Sequence, residues 1–312
     1  MPKEGHRARR SERDVRTIRE AAAPARPAKV SRVSLPYFHP APSRSTEASR
    51  ALRSPIVLEG AGPGIAAVMQ PVEQRLPDAA MASFGNHIVL EVVLGNDDRV
   101  KVSAGDMTKN PYRQIAALRI EAQTGALFVG TGWFIGPRAL ATAGHCVYLH
   151  DEGGWPKSID VIPAKSGPTE PYGHLKATRF RATDGWTEGL KQDFDYGVIL
   201  LDDDEAGKRA GWFEVDVVDA IEGDANISGY PADRDNANFQ YFHARPLKRT
   251  TDTRLVYDID TFGGQSGSPI WIDTKEDGVI AVGVHTTGGA TGNSGTRINS
   301  DVIENFVAWR DE

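Results

Sequence analysis

Three short motifs of this 312-residue chain carry residue types that could perform nucleophilic catalysis. His145 ends the sequence Leu-Ala-Thr-Ala-Gly-His, Asp195 precedes Tyr-Gly-Val-Ile-Leu, and Ser266 lies in Gly-Gln-Ser-Gly-Ser-Pro. A hydroxyl nucleophile, an imidazole base and a carboxylate that orients the imidazole are the parts of a Ser-His-Asp catalytic set. Each motif alone has a simpler explanation: a structural histidine, a turn-capping acid or a plain β-turn. Three such motifs, each beside a strand-like run, are much less expected by chance.

The residues around the acid and the serine refine this hypothesis. Asp193 is an alternative orienting acid, and Asp195 is preferred because it directly precedes the strand-forming run. Gly264 and Gly267 flank Ser266, and glycine lets backbone N–H groups turn inward toward a ligand. The serine loop is therefore expected to be able to form an oxyanion hole, in which N–H donors bind developing negative charge.

The elements that must position these motifs are predicted to be short strands. From about residue 92, apolar or alternating runs rich in Val, Ile, Phe or Trp recur between Gly, Asp, Asn and Pro, which is typical of an all-β sandwich or barrel pair. Apolar residues at helical spacing then predict a C-terminal helix over about 300–310, with Ser300 as its N-cap. The predicted strands cover 116–121, 126–135, 196–201, 255–259, 269–272 and 279–284.

Composition excludes several classes of protein. The chain is 40% hydrophobic and 25% charged, with a formal net charge of −6, which excludes a collagen, a coiled-coil rod and a wholly disordered chain. It contains one cysteine, Cys146, so neither an intramolecular disulfide nor a Cys₄ or Cys₂His₂ zinc site can form. We therefore expect Cys146 to be a small buried hydrophobic residue.

The N-terminal region differs from the rest of the chain. Residues 1–50 hold 12 Lys or Arg against five Asp or Glu and are rich in Pro, Ala and Ser, which predicts disorder. Arg13, Arg16 and Arg19 could lie on one short helix. A basic tail can bind nucleic acid or an anionic membrane, but a solvated tail or propeptide is the preferred interpretation. The first residues lack the apolar stretch of a signal peptide, and no run is long enough to span a membrane.

The His and Ser motifs resemble those of the chymotrypsin-like (trypsin-like) serine peptidases. The sequence Gly-Gln-Ser-Gly-Ser-Pro around Ser266 is similar to the bacterial glutamyl endopeptidase branch, and the resemblance covers roughly 92–312. It implies an all-β fold of two antiparallel six-stranded barrels, the first over about 92–200 and the second over about 210–298. The C-terminal helix and a disordered N-terminal region complete this expected architecture, with a catalytic cleft between the barrels.

The resemblance also implies roles for the motif residues. Ser266 would be the nucleophile, His145 the general base, and Asp195 the carboxylate that holds the imidazole. The backbone N–H groups of Gly264 and Ser266 would form the oxyanion hole. The implied activity is that of a serine endopeptidase, which hydrolyses protein or peptide substrates without a cofactor. No nucleic acid is expected to bind the peptidase domain, and a monomer is expected.

A specificity pocket for glutamate is implied by the same resemblance. Thr261 and His285 would line it, and the free α-amine of Val92 would join them after removal of a propeptide, 1–91. Cleavage would then follow Glu91, a glutamate, so the chain is expected to be a zymogen. Without this resemblance, His285 would be interpreted as an ordinary strand histidine.

Several alternatives stay open at this stage. The peptidase could have another specificity, the chain could be a catalytically silent protein-binding homologue, or the basic N-terminal region could anchor the barrels to nucleic acid or lipid. The family is mostly exported, so secretion is expected by resemblance, although the N-terminus offers no recognisable signal. The acidic run 202–205 could hold a structural calcium ion, but an acidic surface turn is the commoner case.

Overall fold

Strands dominate the computed structural model, which describes residues 8–10, 75–84, 91–274, 278–288 and 292–312. Short apolar runs bounded by turn residues form them, as expected for chains that bury alternate side chains on a sheet. In chain order they are β1 Ala8–Arg10, β2 Val100–Lys101, β3 Ile115–Glu121, β4 Leu127–Gly136, β5 Ala139–Thr142, β6 Ser158–Pro163, β7 Leu175–Ala177, β8 Arg179–Thr183, β9 Gly197–Leu200, β10 Glu214–Val215, β11 Asp224–Gly229, β12 Tyr241–Thr250, β13 Arg254–Tyr257, β14 Pro269–Thr274, β15 Gly278–Thr287 and β16 Asn293–Arg297.

Helices are few and short in the described ranges. None of them is long and apolar enough to cross a membrane. Single 3₁₀ turns occur at Tyr112–Gln114, His150–Glu152, Gln192–Phe194 and Asp235–Ala237. The α-helices are α1 Ala79–Phe84, α2 Gly144–Val147, α3 Asp184–Thr187, α4 Glu205–Ala210 and α5 Ser300–Arg310.

The second sheet closes into a six-stranded antiparallel barrel, as predicted. Its strands follow the order β15-β14-β11-β12-β13-β16, and pairing of β16 with β15 closes the ring. Short β2 adds to β12, and β10 pairs in parallel with β15 outside the ring. Closure leaves no free edge, and apolar side chains such as Ile227, Leu255 and Ile270 fill the interior.

The first sheet differs from the predicted closed barrel because it is a half-barrel. Its strands follow the order β1-β8-β9-β5-β4-β3-β6-β7. Strands β7 and β8 stand on either side of a single residue, Thr178, so they continue one stretch of chain rather than turning back on each other. A hairpin needs a loop of about two residues at least. The two sides of this sheet are therefore joined covalently through Thr178, and the described residues contain no β7–β8 ladder.

Helix α5 packs on the first sheet, and its start differs by one residue from the prediction. Asn299, rather than Ser300, is the N-cap, because its side chain accepts a hydrogen bond from the backbone N–H of Val302 at 3.1 Å. Trp309 is buried against Tyr196, with ring centroids 5.9 Å apart. The predicted helix 300–310 is thus present and covers the sheet that carries two of the three motifs.

Part of the N-terminal region, expected to be disordered, has defined structure. Strand β1 pairs antiparallel with β8, and α1 buries Ala79, Ala80 and Phe84 against the large core. An Ala-rich segment of six residues is too short to be stable as an isolated helix, so packing must supply its stability. The suggested helix through Arg13, Arg16 and Arg19 lies outside the described residues.

The acidic run 202–205 leads into α4, whose first residue is Glu205. The Asp203 carboxylate accepts the backbone N–H of Glu205 at 3.1 Å. Lys208 pairs with Asp204 at 2.8 Å, and Arg179 lies 3.4 Å from Asp202. Three of its four carboxylates therefore have protein partners.

Candidate active site

His145 and Asp195 meet because the strands beside them are neighbours. His145 lies in α2 directly after β5, and Asp195 lies just before β9, which pairs with β5 through Thr142 and Gly197. Asp195 Oδ2 lies 2.8 Å from His145 Nδ1, and its Oδ1 accepts the backbone N–H of His145 at 2.9 Å. Both side chains are fully buried, whereas the alternative acid, Asp193, is exposed.

The surroundings of His145 favour its charged form. Burial by itself lowers the pKa of His145, but the Asp195 carboxylate opposes this, and the resulting pKa lies well above the usual range for histidine. Aromatic rings enclose the imidazole, with Phe84 at a centroid distance of 5.7 Å and Trp186 at 6.0 Å. An imidazolium that forms during a reaction would therefore be stabilised at this position.

The Ser266 loop, between β13 and β14, depends on glycine at two positions. Gly264 and Gly267 have φ of +99° and +89°, a region that other residues rarely adopt. A Cβ at Gly267 would also lie 2.1 Å from the carbonyl oxygen of Thr131, and one at Gly264 would lie 2.5 Å from that of Tyr230. The backbone N–H of Thr131 donates to Ser266 O at 2.8 Å, which ties this loop of the second barrel to β4 of the first sheet.

Ser266 is not hydrogen-bonded to the histidine in this structure. Its Oγ lies 2.6 Å from Glu91 Oε1, 3.3 Å from Asp78 Oδ2 and 3.4 Å from the carbonyl oxygen of Thr286. His145 Nε2 is buried and has no hydrogen-bond partner among the described residues. The structure thus places His145 next to Asp195. The Ser266 hydroxyl instead contacts the carboxyl groups of Asp78 and Glu91, which precede the predicted peptidase domain.

Asp78 is one of those carboxylates, and sequence reasoning did not identify it. It is 3% exposed, and its Oδ2 lies 3.3 Å from Ser266 Oγ. Burial and the nearby Glu91 carboxylate raise the pKa of Asp78 to about 7, against the lowering effects of His145, the Gly264 backbone N–H and the Ser266 hydroxyl. A buried carboxyl group therefore lies beside the serine hydroxyl and against the loop expected to form the oxyanion hole, where a Cβ at Gly263 would lie 3.0 Å from Asp78 Cβ.

One of the predicted pocket residues, His285, lies against the side chain of Glu91. His285 Nε2 lies 3.1 Å from Glu91 Oε1, without the alignment of a hydrogen bond. Tyr257 Oη lies 2.6 Å from His285 Nδ1, and burial raises the pKa of Tyr257 well above its ordinary value. The hydroxyl therefore keeps its proton and can donate it to Nδ1, which leaves Nε2 as the ring donor toward a carboxylate. Thr261 Oγ1 is buried and has no hydrogen-bond partner in the described ranges.

Val92 is held by a residue that the sequence motifs did not indicate. Asn293 Oδ1 accepts the backbone N–H of Val92 at 3.0 Å, and Asn293 Nδ2 donates to the Val92 carbonyl at 2.7 Å. The backbone N–H of Thr261 lies 3.5 Å from the same carbonyl. Asn293 lies in the sequence Gly-Asn-Ser-Gly, which indicates only a turn. No local signal could have identified it.

Gln265, which precedes the serine, links its loop to the chain that follows Val92. Its Oε1 accepts hydrogen bonds from Arg99 Nη1 at 3.3 Å and from the backbone N–H of Phe262 at 3.1 Å. The Arg99 guanidinium is fully buried and pairs with Asp97 at 2.7 Å and Asp233 at 2.6 Å. The neutral amide of Gln265 thus accepts a hydrogen bond from the buried Arg99 guanidinium. It does not form an ion pair with an α-amine.

Cys146 lies directly beneath the serine loop. It is fully buried, and its Sγ is 3.7 Å from the carbonyl oxygen of Ser266. Burial raises the pKa of the thiol, so it remains neutral and unreactive at physiological pH. A Cβ at Gly130 would lie 2.9 Å from this sulfur, which shows how closely the thiol fills its space.

A group of metal-ligand residue types occurs away from the serine. Ligand atoms of Asp98, His243 and Asp260 lie within 4.8 Å of one another. However, both Asp260 oxygens accept backbone N–H groups, from Leu94 at 2.8 Å and from Asp98 at 3.0 Å. His243 Nδ1 accepts the N–H of Asp260 at 2.8 Å, and Arg245 pairs with Asp98 at 2.5 Å. These atoms already have protein partners and anchor the segment after Val92.

Comparison with known proteins agrees with this geometry. Residues 130–282 match the family described as trypsin-like peptidase domain. The chain is 36% identical over 230 residues to the glutamyl endopeptidase of Bacillus licheniformis, covering 71% of this chain and 70% of the relative. It is 32% identical over 224 residues to a Bacillus subtilis protein named extracellular metalloprotease, covering 70% of each.

A solved structure of a Glu endopeptidase in complex with MPD has a TM-score of 0.62 and 28% identity, covering 71% of this chain and all of the other. The two-sheet fold, the family match and these relatives lead to one classification. The chain belongs to the trypsin-like serine peptidases, in the branch that includes the bacterial glutamyl endopeptidases, and it is a hydrolase that acts on protein substrates.

Proposed function

We propose that the chain is a zymogen of a serine endopeptidase that cuts after glutamate. The observation that carries this proposal is the position of the Glu91 side chain. It is 4% exposed, and its carboxylate lies between Ser266 Oγ and His285 Nε2. A pocket that buries a glutamate side chain beside a nucleophile and an imidazole donor suits a glutamate-specific enzyme.

The proposed reaction is acyl transfer through a Ser-His-Asp triad. His145 Nε2 takes the proton of Ser266 Oγ as the oxygen attacks the substrate carbonyl, while Asp195 holds Nδ1 and stabilises the imidazolium. The backbone N–H groups of Gly264 and Ser266 bind the oxyanion. The proton then passes to the leaving amine, and water hydrolyses the acyl-enzyme by the same steps. His145 Nε2 lacks a partner in the described residues, so it is available for this role once the serine is released from Glu91.

Cleavage-site mapping tests this function. The purified chain is incubated with a denatured protein mixture beside a Ser266→Ala control, and the new termini are identified by mass spectrometry. Cuts after glutamate that disappear in the control would support the proposal. Serine-dependent cuts after other residues would favour a peptidase of different specificity, and no cuts by a chain that begins at Val92 would favour a silent binding homologue.

The pocket predicts the effect of replacing His285. In His285→Ala, kcat/KM for a glutamate substrate should fall by roughly 10- to 100-fold, because a hydrogen bond to a charged group contributes about that much. Hydrolysis of the matching glutamine substrate should change much less. The control is His174→Ala, since the His174 side chain is 46% exposed. An equal loss for both substrates would contradict a role of His285 in carboxylate recognition.

The zymogen hypothesis predicts the N-terminus of active material. Removal of 1–91 would convert the N–H of Val92 into an ammonium group, which adds charge complementarity for a carboxylate. N-terminal mapping of active enzyme should therefore start at Val92. A fully active chain of 312 residues would count decisively against this processing site.

The proposed domain organisation and location follow from the same reasoning. Residues 1–91 would be the propeptide and 92–312 the peptidase, with the first sheet over about 92–200 and the second barrel over about 210–298. Secretion is supported by a relative that is named extracellular. A monomer is proposed as the functional unit, and size-exclusion chromatography with light scattering of the processed chain would test it.

A further inference from the structure

Residues 75–84 of the N-terminal region lie against the elements that carry the serine and the histidine. The carbonyl oxygen of Pro77 accepts the backbone N–H of Val129 at 2.9 Å, and Asp78 forms a parallel bridge with Val129 in β4. Helix α1 follows directly, and its Ser83 Oγ donates to the carbonyl oxygen of His145 at 3.2 Å. The segment thus touches both the strand beside the serine loop and the helix that carries the histidine.

Aromatic packing also joins α1 to the imidazole of His145. Phe84, the last residue of α1, is 5% exposed and lies at centroid distances of 5.7 Å from His145 and 4.7 Å from Trp186. Both rings meet Phe84 edge to face, an arrangement that favours tight contact. Phe84 therefore anchors α1 against the side chains that surround the imidazole.

The carboxyl groups of Asp78 and Glu91 both lie against the serine hydroxyl that the reaction would need. Asp78 Oδ2 lies 3.3 Å from Ser266 Oγ, beside the loop expected to bind an oxyanion, and Glu91 Oε1 lies 2.6 Å from the same hydroxyl oxygen. The atom of Glu91 that meets the hydroxyl is a side-chain oxygen, not the carbonyl carbon of the Glu91–Val92 bond. The backbone of Glu91 is also fixed against Gly288, where an added Cβ would lie 2.6 Å from Glu91 Cα.

We propose that residues 75–84, together with Glu91, are an inhibitory ligand of the chain's own catalytic site, with Asp78 as the carboxyl group that anchors it at the serine loop and Glu91 as its anchor beside His285. The inference rests on the proposed function, since it assigns the latent state of the same site. A carboxyl group at this position hinders the approach of a substrate carbonyl to the nucleophile, because Asp78 Oδ2 already lies 3.3 Å from Ser266 Oγ. Latency then arises from occupation of the site, in addition to the absence of a free α-amine at Val92.

The test measures how quickly Ser266 of the uncut chain reacts with a small fluorophosphonate probe. The probe forms a phosphorus–oxygen bond to Oγ and expels fluoride, so it needs both a free hydroxyl and a free oxyanion hole. Intact-mass spectrometry counts the label on uncut and processed chains separately in one sample. In Asp78→Asn and Asp78→Ala chains, the uncut species should label about 10- to 100-fold faster than wild type, the range for loss of a hydrogen bond to a charged group.

Met81→Ala is the matched control, because Met81 lies on the same helix and is 48% exposed. It should label at the wild-type rate. Asp78→Asn keeps the side-chain size, so it carries the test if Asp78→Ala fails to unfold cooperatively on heating. One outcome is that both Asp78 variants label at the wild-type rate while Ser266 is readily labelled in chains processed to Val92. That outcome would overturn the inhibitory role of this segment but not the proposed function. No label on Ser266 in any chain, processed or uncut, would overturn the proposed function as well.

Discussion

Replacing Ser266 with alanine is expected to reduce kcat by about 10⁶-fold, the scale seen when a nucleophile that works as part of a triad is removed. The variant should also stay uncut when it is produced alone, because it cannot process itself. Mixed with active wild-type enzyme, the same chain should be cut after Glu91. Measurement of kcat on a glutamyl peptide and of intact mass before and after mixing checks these expectations.

Ser268→Ala is the control for the nucleophile, because it removes a second hydroxyl from the same loop. The Ser268 hydroxyl donates to the carbonyl oxygen of Gln265 at 2.6 Å. Loss of one neutral hydrogen bond typically costs about 1 kcal/mol, so the loop should be weakened slightly and activity should fall by no more than about tenfold. Comparable losses in both variants would mean that Ser266 acts through the structure of the loop and not as the attacking group.

Replacing Asp195 with asparagine is expected to reduce kcat by about 10⁴-fold, since an amide favours the wrong imidazole tautomer. The substitution also removes the charge that raises the pKa of His145, while burial, which lowers it, remains. The pKa of His145 should therefore fall, and the acidic limb of the kcat/KM profile should move to lower pH. A pH series of kcat/KM on the processed enzyme measures both effects.

Asp193→Asn is the matched control for the acid. Asp193 is exposed in the turn before Asp195, and only Phe194 separates the two acids in the chain. The Asp193 variant should retain near wild-type kcat and the same acidic limb. If the Asp193 change proved the more damaging, the assignment of Asp195 to the imidazole would be wrong.

Local pattern was sufficient to predict most strands near the motifs. The apolar run predicted at 116–121 is β3 Ile115–Glu121, and that at 269–272 is the start of β14 Pro269–Thr274. Such runs combine strong β propensity with turn residues at both ends, so neighbouring sequence determines them. The α5 cap moved from Ser300 to Asn299 because both residue types can cap and only the backbone geometry distinguishes them.

Whether the first sheet forms a closed barrel or a half-barrel could not be predicted from these patterns. Whether β7 and β8 form a hairpin or one interrupted stretch depends on the single residue Thr178 and on which strands they meet across the sheet. The same holds for the N-terminal region. Its composition predicts disorder, yet α1 is ordered where Phe84 and Ser83 find partners around His145.

The amino-acid sequence alone was enough for the family, the strand-rich fold and the nomination of His145, Asp195 and Ser266, because these depend on residue types within short motifs. Short motifs could not predict the contacts that Asp78, Glu91 and the other long-range partners make. Asp78 and Ser266 are separated by 188 positions in the chain but by 3.3 Å in space. Packing of two sheets brings such residues together, and no local pattern encodes that distance.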